Sequence, residues 1–421
     1  MLLQFSVKNF MSIKNEVVFS MLAGTGDENM ENVISLPNNK EKYLKTTAFY
    51  GANATGKTNF MRALTSAILM IRKSNIRNIN ERLIEMNPFK FDDELNKMPC
   101  EFEFIFIKNN IKYIYGFSAD INKIYTEYLY YYSSAKPSLI FERNNINEYK
   151  FPQAEQSKLN ELASKNTDKK LFLSTATAWN YEKTKDAFMW FAEDIDTYDD
   201  YKNLVPISFE KFEKDINGDL KKFTINLLKL SDIIINDYTF EVNQKEINNY
   251  LLNITNINNE KIMGKEVKIS TKHEIEDEKG DIKTYELDLS EESLGTYNLF
   301  MLSPILKDAF EKGKTIVIDE IDKSLHPLLV KYIIGLFHNS KVNKNNAQLI
   351  FNTHDINLLS LDLLRRDQIW FVEKDFKKGA TEIYPLDDFS VRKTENIQKG
   401  YLNGRYGGIP FVAEGNSPWE E

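Results

Sequence analysis

The stretch that most constrains the fold is Gly51–Thr58, which reads Gly-Ala-Asn-Ala-Thr-Gly-Lys-Thr. It matches G-x-x-x-x-G-K-[ST], the pattern of a phosphate-binding loop. A short apolar run, 46–50, precedes the loop, and apolar residues recur at helical spacing over 59–71. A chance match in a flexible loop would not have a strand before it and a helix after it. The sequence therefore predicts an α/β domain in which a helix N-terminus attracts a phosphate group.

The residue types within this loop predict how a nucleotide would be held. Gly51 and Gly56 leave room for backbone N–H groups to face phosphate oxygens. Lys57 can reach the β- and γ-phosphates, and the Thr58 hydroxyl can coordinate Mg²⁺. We therefore expect ATP as the ligand and Mg²⁺ as its metal cofactor. The residues predicted to contact them here are Gly51, Asn53, Ala54, Thr55, Gly56, Lys57 and Thr58.

Two carboxylates follow a second predicted strand. Residues 315–318 read Thr-Ile-Val-Ile, a β-branched run typical of a buried parallel strand, and Asp319 and Glu320 come next. Ligands bind at the carboxyl ends of such strands. Asp319 is therefore the predicted Mg²⁺ ligand, and Glu320 is the predicted general base for an attacking water. The alternative, an aspartate that only caps the next helix, is disfavoured because the same chain carries a phosphate loop.

A histidine ends the following buried segment, 348–355. Taken alone, His354 would more often be a capping or core histidine. Because its strand comes directly after the one that carries Asp319 and Glu320, His354 can reach the γ-phosphate from the same crevice. We predict a catalytic role for His354 beside Glu320 and Lys57.

Composition limits the setting in which the chain works. The single cysteine, Cys100, excludes an internal disulfide and a cysteine-rich zinc site. Residues 1–5 lack the basic start and apolar core of a signal peptide, and no apolar run approaches the ~20 residues of a membrane span. A net charge of −8 disfavours nonspecific DNA binding by the whole surface. We expect a cytoplasmic protein without membrane contact.

The whole chain divides into three predicted regions. Residues 1–152 form an N-terminal lobe with the phosphate loop and an antiparallel meander over 101–132, where apolar residues alternate. Residues 153–265 are interpreted as a mainly helical insertion. Residues 266–421 form a C-terminal lobe that begins with a hairpin. The helices predicted within the insertion are 157–164, 181–193 and 209–230.

Four polar or aromatic features outside these motifs need a structural or a functional interpretation. The run Tyr128–Tyr132 could stack on bases, but a half-buried strand is the favoured interpretation. Arg365 and Arg366 are interpreted as a solvated helix end. Arg405 lies in a glycine-rich tail, 401–410, that suggests either a surface turn or a functional contact. Ser293 precedes Gly295 at a predicted helix start, where a serine is commonly an N-cap.

The order of these motifs resembles the ABC-type ATPase superfamily. Ser293-Leu294-Gly295-Thr296 is similar to a degenerate signature motif, 24 residues before Asp319 counted from Gly295 (319 − 295). Residues 322–327 and 9–12 are similar to the branch that contains structural-maintenance-of-chromosomes (SMC) and overcoming-lysogenization-defect (OLD) proteins. The resemblance implies an ABC-type P-loop ATPase core with a mixed sheet. It also implies ATP hydrolysis by a head-to-head dimer, in which Ser293 and Gly295 contact ATP held by a second copy.

More narrowly, segments 365–373 and 401–410 resemble AAA-15/AAA-21-type ATPases of bacterial phage-defence and abortive-infection systems, such as the PARIS and RloA/AbiL types. This resemblance implies a homodimer or higher homo-oligomer and a separately encoded effector, such as a Toprim, HNH or HEPN nuclease. The implied trigger is a phage protein or DNA. Two other functions stay open: an SMC/OLD-like ATPase of DNA repair or DNA-end processing, and an ABC-F-like or transporter-like module. Neighbouring genes and DNA-stimulated hydrolysis would discriminate among them.

Overall fold

The computed structural model describes residues 1–37, 39–247 and 262–410. The α-helices are α1 (Lys57–Lys73), α2 (Gln156–Ala163), α3 (Phe172–Ala178), α4 (Glu182–Met189), α5 (Tyr201–Glu213), α6 (Asp219–Leu230), α7 (Leu294–Lys312), α8 (Pro327–His338) and α9 (Ile397–Leu402). The strands are β1 (Leu2–Lys8), β2 (Val17–Ser20), β3 (Val33–Ser35), β4 (Lys42–Leu44), β5 (Thr46–Tyr50), β6 (Cys100–Lys108), β7 (Ile111–Ala119), β8 (Ile124–Tyr132), β9 (Ser138–Asn144), β10 (Glu148–Lys150), β11 (Ile195–Tyr198), β12 (Asp237–Ile247), β13 (Ile262–Glu276), β14 (Ile282–Asp288), β15 (Thr315–Ile318), β16 (Gln348–Asn352), β17 (Ile369–Asp375) and β18 (Ala380–Pro385).

The described chain divides into two compact units. The first contains residues 1–199 and 309–322 together with the described part of 330–421, and the second contains the described part of 200–308 together with 323–329. The predicted mixed α/β fold is confirmed, because parallel and antiparallel sheets occur together with helices. Among the described helices, none combines the length and the apolar character that crossing a membrane requires.

A six-stranded sheet in the first unit carries the phosphate loop. Its order is β11-β15-β16-β5-β17-β18, and all neighbours are parallel except β17 and β18. Every residue of β5, β15 and β16 is buried, as expected for the central strands of a sheet covered on both faces. The carboxyl ends of β5, β15 and β16 therefore meet at one edge, where the predicted site residues follow them.

A seven-stranded antiparallel sheet, ordered β10-β9-β8-β7-β6-β1-β2, contributes to the same hydrophobic core. Phe60 of α1 contacts the rings of Phe5 and Phe19 on this sheet, and also that of Phe49 on β5. Phe19 in turn lies 5.1 Å from Phe49, measured between ring centroids. Aromatic packing thus fixes the helix that follows the phosphate loop against both sheets.

The helices of the predicted insertion, 153–265, do not stay together. Helices α2, α3 and α4 belong to the first unit, because their apolar residues pack on the meander sheet. Phe172 lies 4.9 Å from Phe141, and Trp190 stacks 4.2 Å from Phe106, between ring centroids. The second unit begins at residue 200 and its longer segment ends at 308, so its bounds differ from those of the predicted insertion, 153–265.

The second unit also differs in its secondary structure. The predicted helix 209–230 is two helices, α5 and α6, separated where Gly218 takes a left-handed φ of 73°. Strand β12 was not predicted, because its apolar alternation is masked by charged and amide residues. It pairs with β13, and β13 pairs with β14 across the turn that holds Gly280. Phe300 of α7 packs 5.0 Å from Phe212 of α5, between ring centroids.

Arg365 is not a solvated residue as predicted, since only 2% of it is exposed. Its guanidinium donates to Asp367, at 2.7 Å from Nη2 to Oδ2, and to the carbonyl oxygens of Gly24 and Gly26 at 3.3 and 3.1 Å. Arg366 pairs with Glu28 at 2.8 Å. The adjacent arginines therefore join β17 to a loop more than 330 positions earlier in the chain.

Removing one partner of a buried ion pair should strongly destabilise the first unit. Glu127 and Arg143 are fully enclosed at 3.9 Å, and Glu127 also accepts from the backbone N–H groups of Phe172 and Leu173. Replacing Arg143 by Met leaves that carboxylate buried without its counter-charge, so we expect a loss of about 3–5 kcal/mol in the free energy of unfolding. Urea denaturation measures this loss.

The matched control is Lys150→Met, which removes an exposed lysine from its ion pair with the partly buried Glu142 at 3.0 Å. It should change the free energy of unfolding by less than about 0.5 kcal/mol. Equal effects of Lys150→Met and Arg143→Met would contradict the interpretation that burial makes the Arg143 pair important.

Candidate nucleotide site

The phosphate loop has the backbone shape that its two glycines allow. It joins β5 to α1, with left-handed φ values of 62° at Ala54 and 113° at Gly56. A Cβ atom on Gly51 would lie 2.4 Å from the carbonyl oxygen of Val372, and one on Gly56 would lie 2.2 Å from Thr381 Oγ1. Larger residues would therefore push the loop away from β17 and β18, which support it.

The Lys57 ammonium lies inside this loop. It donates to the carbonyl oxygens of Gly51 and Ala52 at 2.6 and 3.0 Å. Burial lowers the pKa of Lys57 to about 8, although Asp319 and Glu320 act in the opposite direction. The ammonium is thus held at the loop's centre, where burial disfavours its charged form.

Asp319 lies at the end of β15 next to Thr58 and Asn352. Thr58 Oγ1 donates to Asp319 Oδ1 at 3.3 Å, and the Asn352 amide donates to the same oxygen. Burial raises the pKa of Asp319, while both hydrogen bonds oppose that rise. A hydroxyl and a carboxylate oxygen at this separation are the ligand types that Mg²⁺ prefers, so the pair fits the metal implied by the motifs.

Glu320 is oriented by the neighbouring strand. Its backbone N–H donates to Asn352 Oδ1 at 2.5 Å, and its φ of 54° is left-handed, which is uncommon for a residue other than glycine. The register pairs Ile318 with Phe351, so Asn352, the last residue of β16, lies beside Asp319 and Glu320, which follow β15. Asn352 therefore holds the Asp319 carboxylate and the backbone of Glu320, a role that its place in the sequence did not reveal.

His354 is exposed beside the same edge of the sheet. Its backbone N–H donates to Asp322 Oδ2 at 3.2 Å. Partial burial and the Lys57 charge lower the pKa of His354, against the influence of Asp322 and Glu320. The imidazole is therefore mainly neutral at pH 7 and can donate one hydrogen bond to a phosphate oxygen.

A cavity of about 590 Å³ brings these parts together. Its walls include the whole second half of the phosphate loop, together with Glu320 and His354. Two further residues, Asn59 and Lys374, line it and were not predicted as site residues. Backbone amides, a lysine, a helix N-terminus, the Thr58 hydroxyl and the Glu320 carboxylate around one cavity form a set of groups that fits a nucleoside triphosphate with Mg²⁺.

The N-terminal turn supports the loop from outside. Asn59 Nδ2 donates to Ser12 Oγ at 2.7 Å, and Thr381 Oγ1 donates to the same Ser12 oxygen at 2.8 Å. Thr381 Oγ1 also approaches the carbonyl oxygen of Thr55 at 2.7 Å. In the sequence Ser12 stands out only as part of the 9–12 segment, because its link to Thr381 depends on a contact 369 positions apart.

Ser293 and Gly295 lie in the second unit, at the N-terminus of α7. Ser293 Oγ accepts from the backbone N–H of Thr296 at 3.1 Å, so the serine does cap the helix. A Cβ on Gly295 would lie 2.9 Å from the carbonyl oxygen of Ser324. Leu294 between them is 62% exposed. Neither Ser293 nor Gly295 is among the residues that line the 590 Å³ cavity.

Residues 46–360 match the family model AAA_21, described as "AAA domain, putative AbiEii toxin, Type IV TA system". A search of curated proteins gave no match. Among solved structures, the SMC head domain from Thermotoga maritima is similar at 14% identity and a TM-score of 0.40, covering 91% of this chain and 98% of that one.

Two further structures are similar to the chain. An Smc head domain with an extended coiled coil, bound to the C-terminal domain of ScpA and derived from Pyrococcus furiosus, shows 13% identity and a TM-score of 0.37 over 91% of this chain and 96% of that one. The cbiO1 protein from Clostridium perfringens, part of an ABC transporter complex, shows 10% identity and a TM-score of 0.31 over 92% and 90%.

Proposed function

Because the chain belongs to the AAA_21 family of AAA domains, we propose that it binds and hydrolyses ATP and uses this cycle to control a partner protein. The observation that carries the proposal is the 590 Å³ cavity, where the phosphate loop, Glu320 and His354 converge. Few other ligands would use a lysine inside a loop of backbone amides, a helix N-terminus and a buried aspartate at the same time.

In the proposed reaction, residues of the first unit bind and orient the reactants. The loop amides and Lys57 hold the β- and γ-phosphates, and Thr58 and Asp319 hold Mg²⁺. Bound Mg²⁺ supplies charge neutralisation at the phosphate oxygens. Glu320, fixed through its backbone by Asn352, orients a water molecule and accepts its proton. His354, mainly neutral at pH 7, donates a hydrogen bond to the γ-phosphate.

We further propose that a second copy completes each site. Ser293 caps a 19-residue helix whose N-terminal end carries an exposed leucine. A helix N-terminus of this kind attracts anions. In the proposed homodimer it faces the γ-phosphate held by the other protomer, so that two ATP molecules lie between two copies and hydrolysis lets the copies separate.

The proposed partner is a separately encoded effector in bacterial antiviral defence, such as a Toprim, HNH or HEPN nuclease. The family description, which refers to a toxin of a type IV toxin–antitoxin system, supports an association with toxicity. The second unit is the proposed element that transmits ATP-dependent changes to this effector. Co-purification with the product of a flanking gene tests the partner directly, and DNA-stimulated hydrolysis without such a partner would favour the DNA-repair alternative.

Replacing Glu320 by Gln tests the ATP-dependent dimer. The variant keeps the phosphate loop and Asp319 but lacks the carboxylate that accepts the water proton, so ATP should remain bound. We expect light scattering after gel filtration to give the mass of two protomers with ATP and Mg²⁺, and of one protomer with ADP.

The control is Glu382→Gln, which removes an exposed carboxylate from β18. This variant should behave like the wild type. If Glu320→Gln stays monomeric while a binding assay shows ATP on the protein, the proposed dimer is wrong but nucleotide binding stands.

A further inference from the structure

Lys374 is a cation in the nucleotide cavity that none of the sequence motifs includes. It lies near the carboxyl end of β17 and lines the cavity with the phosphate loop. In the sheet order, β5 lies between β16 and β17. Glu320 and His354 follow β15 and β16 on one side of the loop, and Lys374 lies on the other side. The cavity therefore has a lysine on the β17 side of the phosphate-binding backbone, in addition to Lys57 within the loop.

The strand register places Lys374 close to one end of the loop. Lys374 pairs with Thr381 across the β17–β18 hairpin. Thr381 Oγ1 approaches the carbonyl oxygen of Thr55 at 2.7 Å and would meet a Cβ on Gly56 at 2.2 Å. Lys374 thus stands opposite the residue that contacts the loop where it enters α1, on the β17 side of the loop and not on the β15 and β16 side that holds Glu320.

The Lys374 ammonium is available for an anion. Within residues 1–37, 39–247 and 262–410, no ion pair or side-chain hydrogen bond of Lys374 is found, and its side chain is partly buried. The neighbouring acids have other partners: Glu373 accepts from Tyr384 at 2.9 Å, and Asp375 pairs with Lys378 at 3.3 Å. A partly buried ammonium that lines a phosphate-binding cavity without a counter-charge favours an anionic ligand.

We propose that Lys374 is a second phosphate-binding lysine, which contacts the α- and β-phosphates of the bound nucleotide. This inference rests on the proposed function. Because Glu320 and His354 occupy the opposite side of the loop, Lys374 acts on the part of the nucleotide that ATP and ADP share. It therefore adds affinity for nucleoside diphosphates and triphosphates alike and leaves the hydrolysis step to the other residues.

Isothermal titration of the full chain with ATP and with ADP, both with Mg²⁺, tests this role. Replacing Lys374 by Gln should weaken both affinities by about tenfold, as expected for the loss of a charge-assisted hydrogen bond. The rate of hydrolysis at saturating ATP should stay within about twofold of the wild type. Lys374→Arg, which keeps the charge, should recover most of the lost affinity.

The matched control is Lys377→Gln, which removes an exposed lysine from the turn of the same hairpin. It should leave both affinities unchanged. Unchanged affinities in Lys374→Gln, or a loss for ATP alone, would overturn the proposed contact. If the wild-type protein itself binds neither nucleotide, the proposed function fails, and this outcome is distinguishable from failure of the Lys374 contact.

Discussion

Mixing two inactive variants, Lys57→Ala and Ser293→Arg, is expected to restore ATP hydrolysis. Lys57→Ala removes the ammonium at the centre of the phosphate loop. Ser293→Arg places a bulky cation at the start of α7, and Ser293 is exposed, so the fold can accommodate it at the cost of one cap, about 1 kcal/mol. Each variant alone should form only defective sites and hydrolyse ATP at background rates.

In the heterodimer of these two variants, both defects fall on the same one of the two sites. One of its sites combines both defects, whereas the other combines an intact phosphate loop from one copy with an intact Ser293 from the other. If half of the dimers are mixed and each has one working site, activity should reach about a quarter of the wild-type value at equal total protein. A coupled phosphate-release assay measures it. If Ser293 served the phosphate loop of its own chain, every site in the mixture would be defective.

The control mixture combines Lys57→Ala with Glu320→Gln. Both changes lie in the first unit, on the side of the site that binds the phosphates. Each site of the heterodimer therefore contains one of the two defects, and mixing should restore nothing. Activity in this control would indicate contamination by wild-type protein. No activity in this control, together with recovered activity in the Ser293 mixture, would support the composite site.

The parts of the site that could be predicted are those encoded by contiguous residues. The phosphate loop needs a strand, two glycines and a helix, all within residues 46–73, and β15 needs a β-branched run before Asp319. Patterns of this kind report local structure directly. The fold class follows from them, because buried parallel strands that alternate with helices form a covered sheet.

The parts that were missed depend on which strands become neighbours. Asn352 contacts Asp319 only because β16 lies beside β15, and Lys374 faces the phosphate loop only because β17 lies beside β5. No local pattern distinguishes Lys374 from the other lysines of the chain. The same holds for Arg365, whose burial depends on carbonyl groups contributed by residues 24–28. Side chains whose role is set by tertiary pairing remain hidden until the sheet order is known.

ATP affinity is expected to fall by about thirtyfold between pH 7 and pH 9.5, because Lys57 must be charged to bind phosphate. Burial lowers the pKa of Lys57 to about 8 in the free protein. Bound phosphate favours the charged form and raises that pKa again. At pH 7 the ammonium is already protonated, whereas at pH 9.5 only about 3% of molecules carry the proton that binding requires.

Proton linkage determines whether the ATP affinity rises or falls with pH. Above pH 8 the complex holds one proton more than the free protein, so binding takes up a proton and weakens as pH rises. Titration calorimetry at pH 9 in two buffers of different ionisation enthalpy should show an uptake of about 0.9 proton per ATP, and almost none at pH 7. Phosphate ionisation itself contributes little, because it is complete well below pH 8.

Lys57→Arg provides the control, since a guanidinium stays charged throughout this range. Its ATP affinity will be lower than that of the wild type at pH 7 but should not change up to pH 9.5.

The pH dependence of folding of the free protein offers an independent check. The unfolded chain binds more protons than the folded one between pH 8 and the ordinary lysine value of 10.5, so the Lys57 contribution makes folding more favourable as pH rises through this window. An ATP affinity that is constant from pH 7 to 9.5, without proton uptake, would show that Lys57 is not held in the buried, charge-disfavouring position described here.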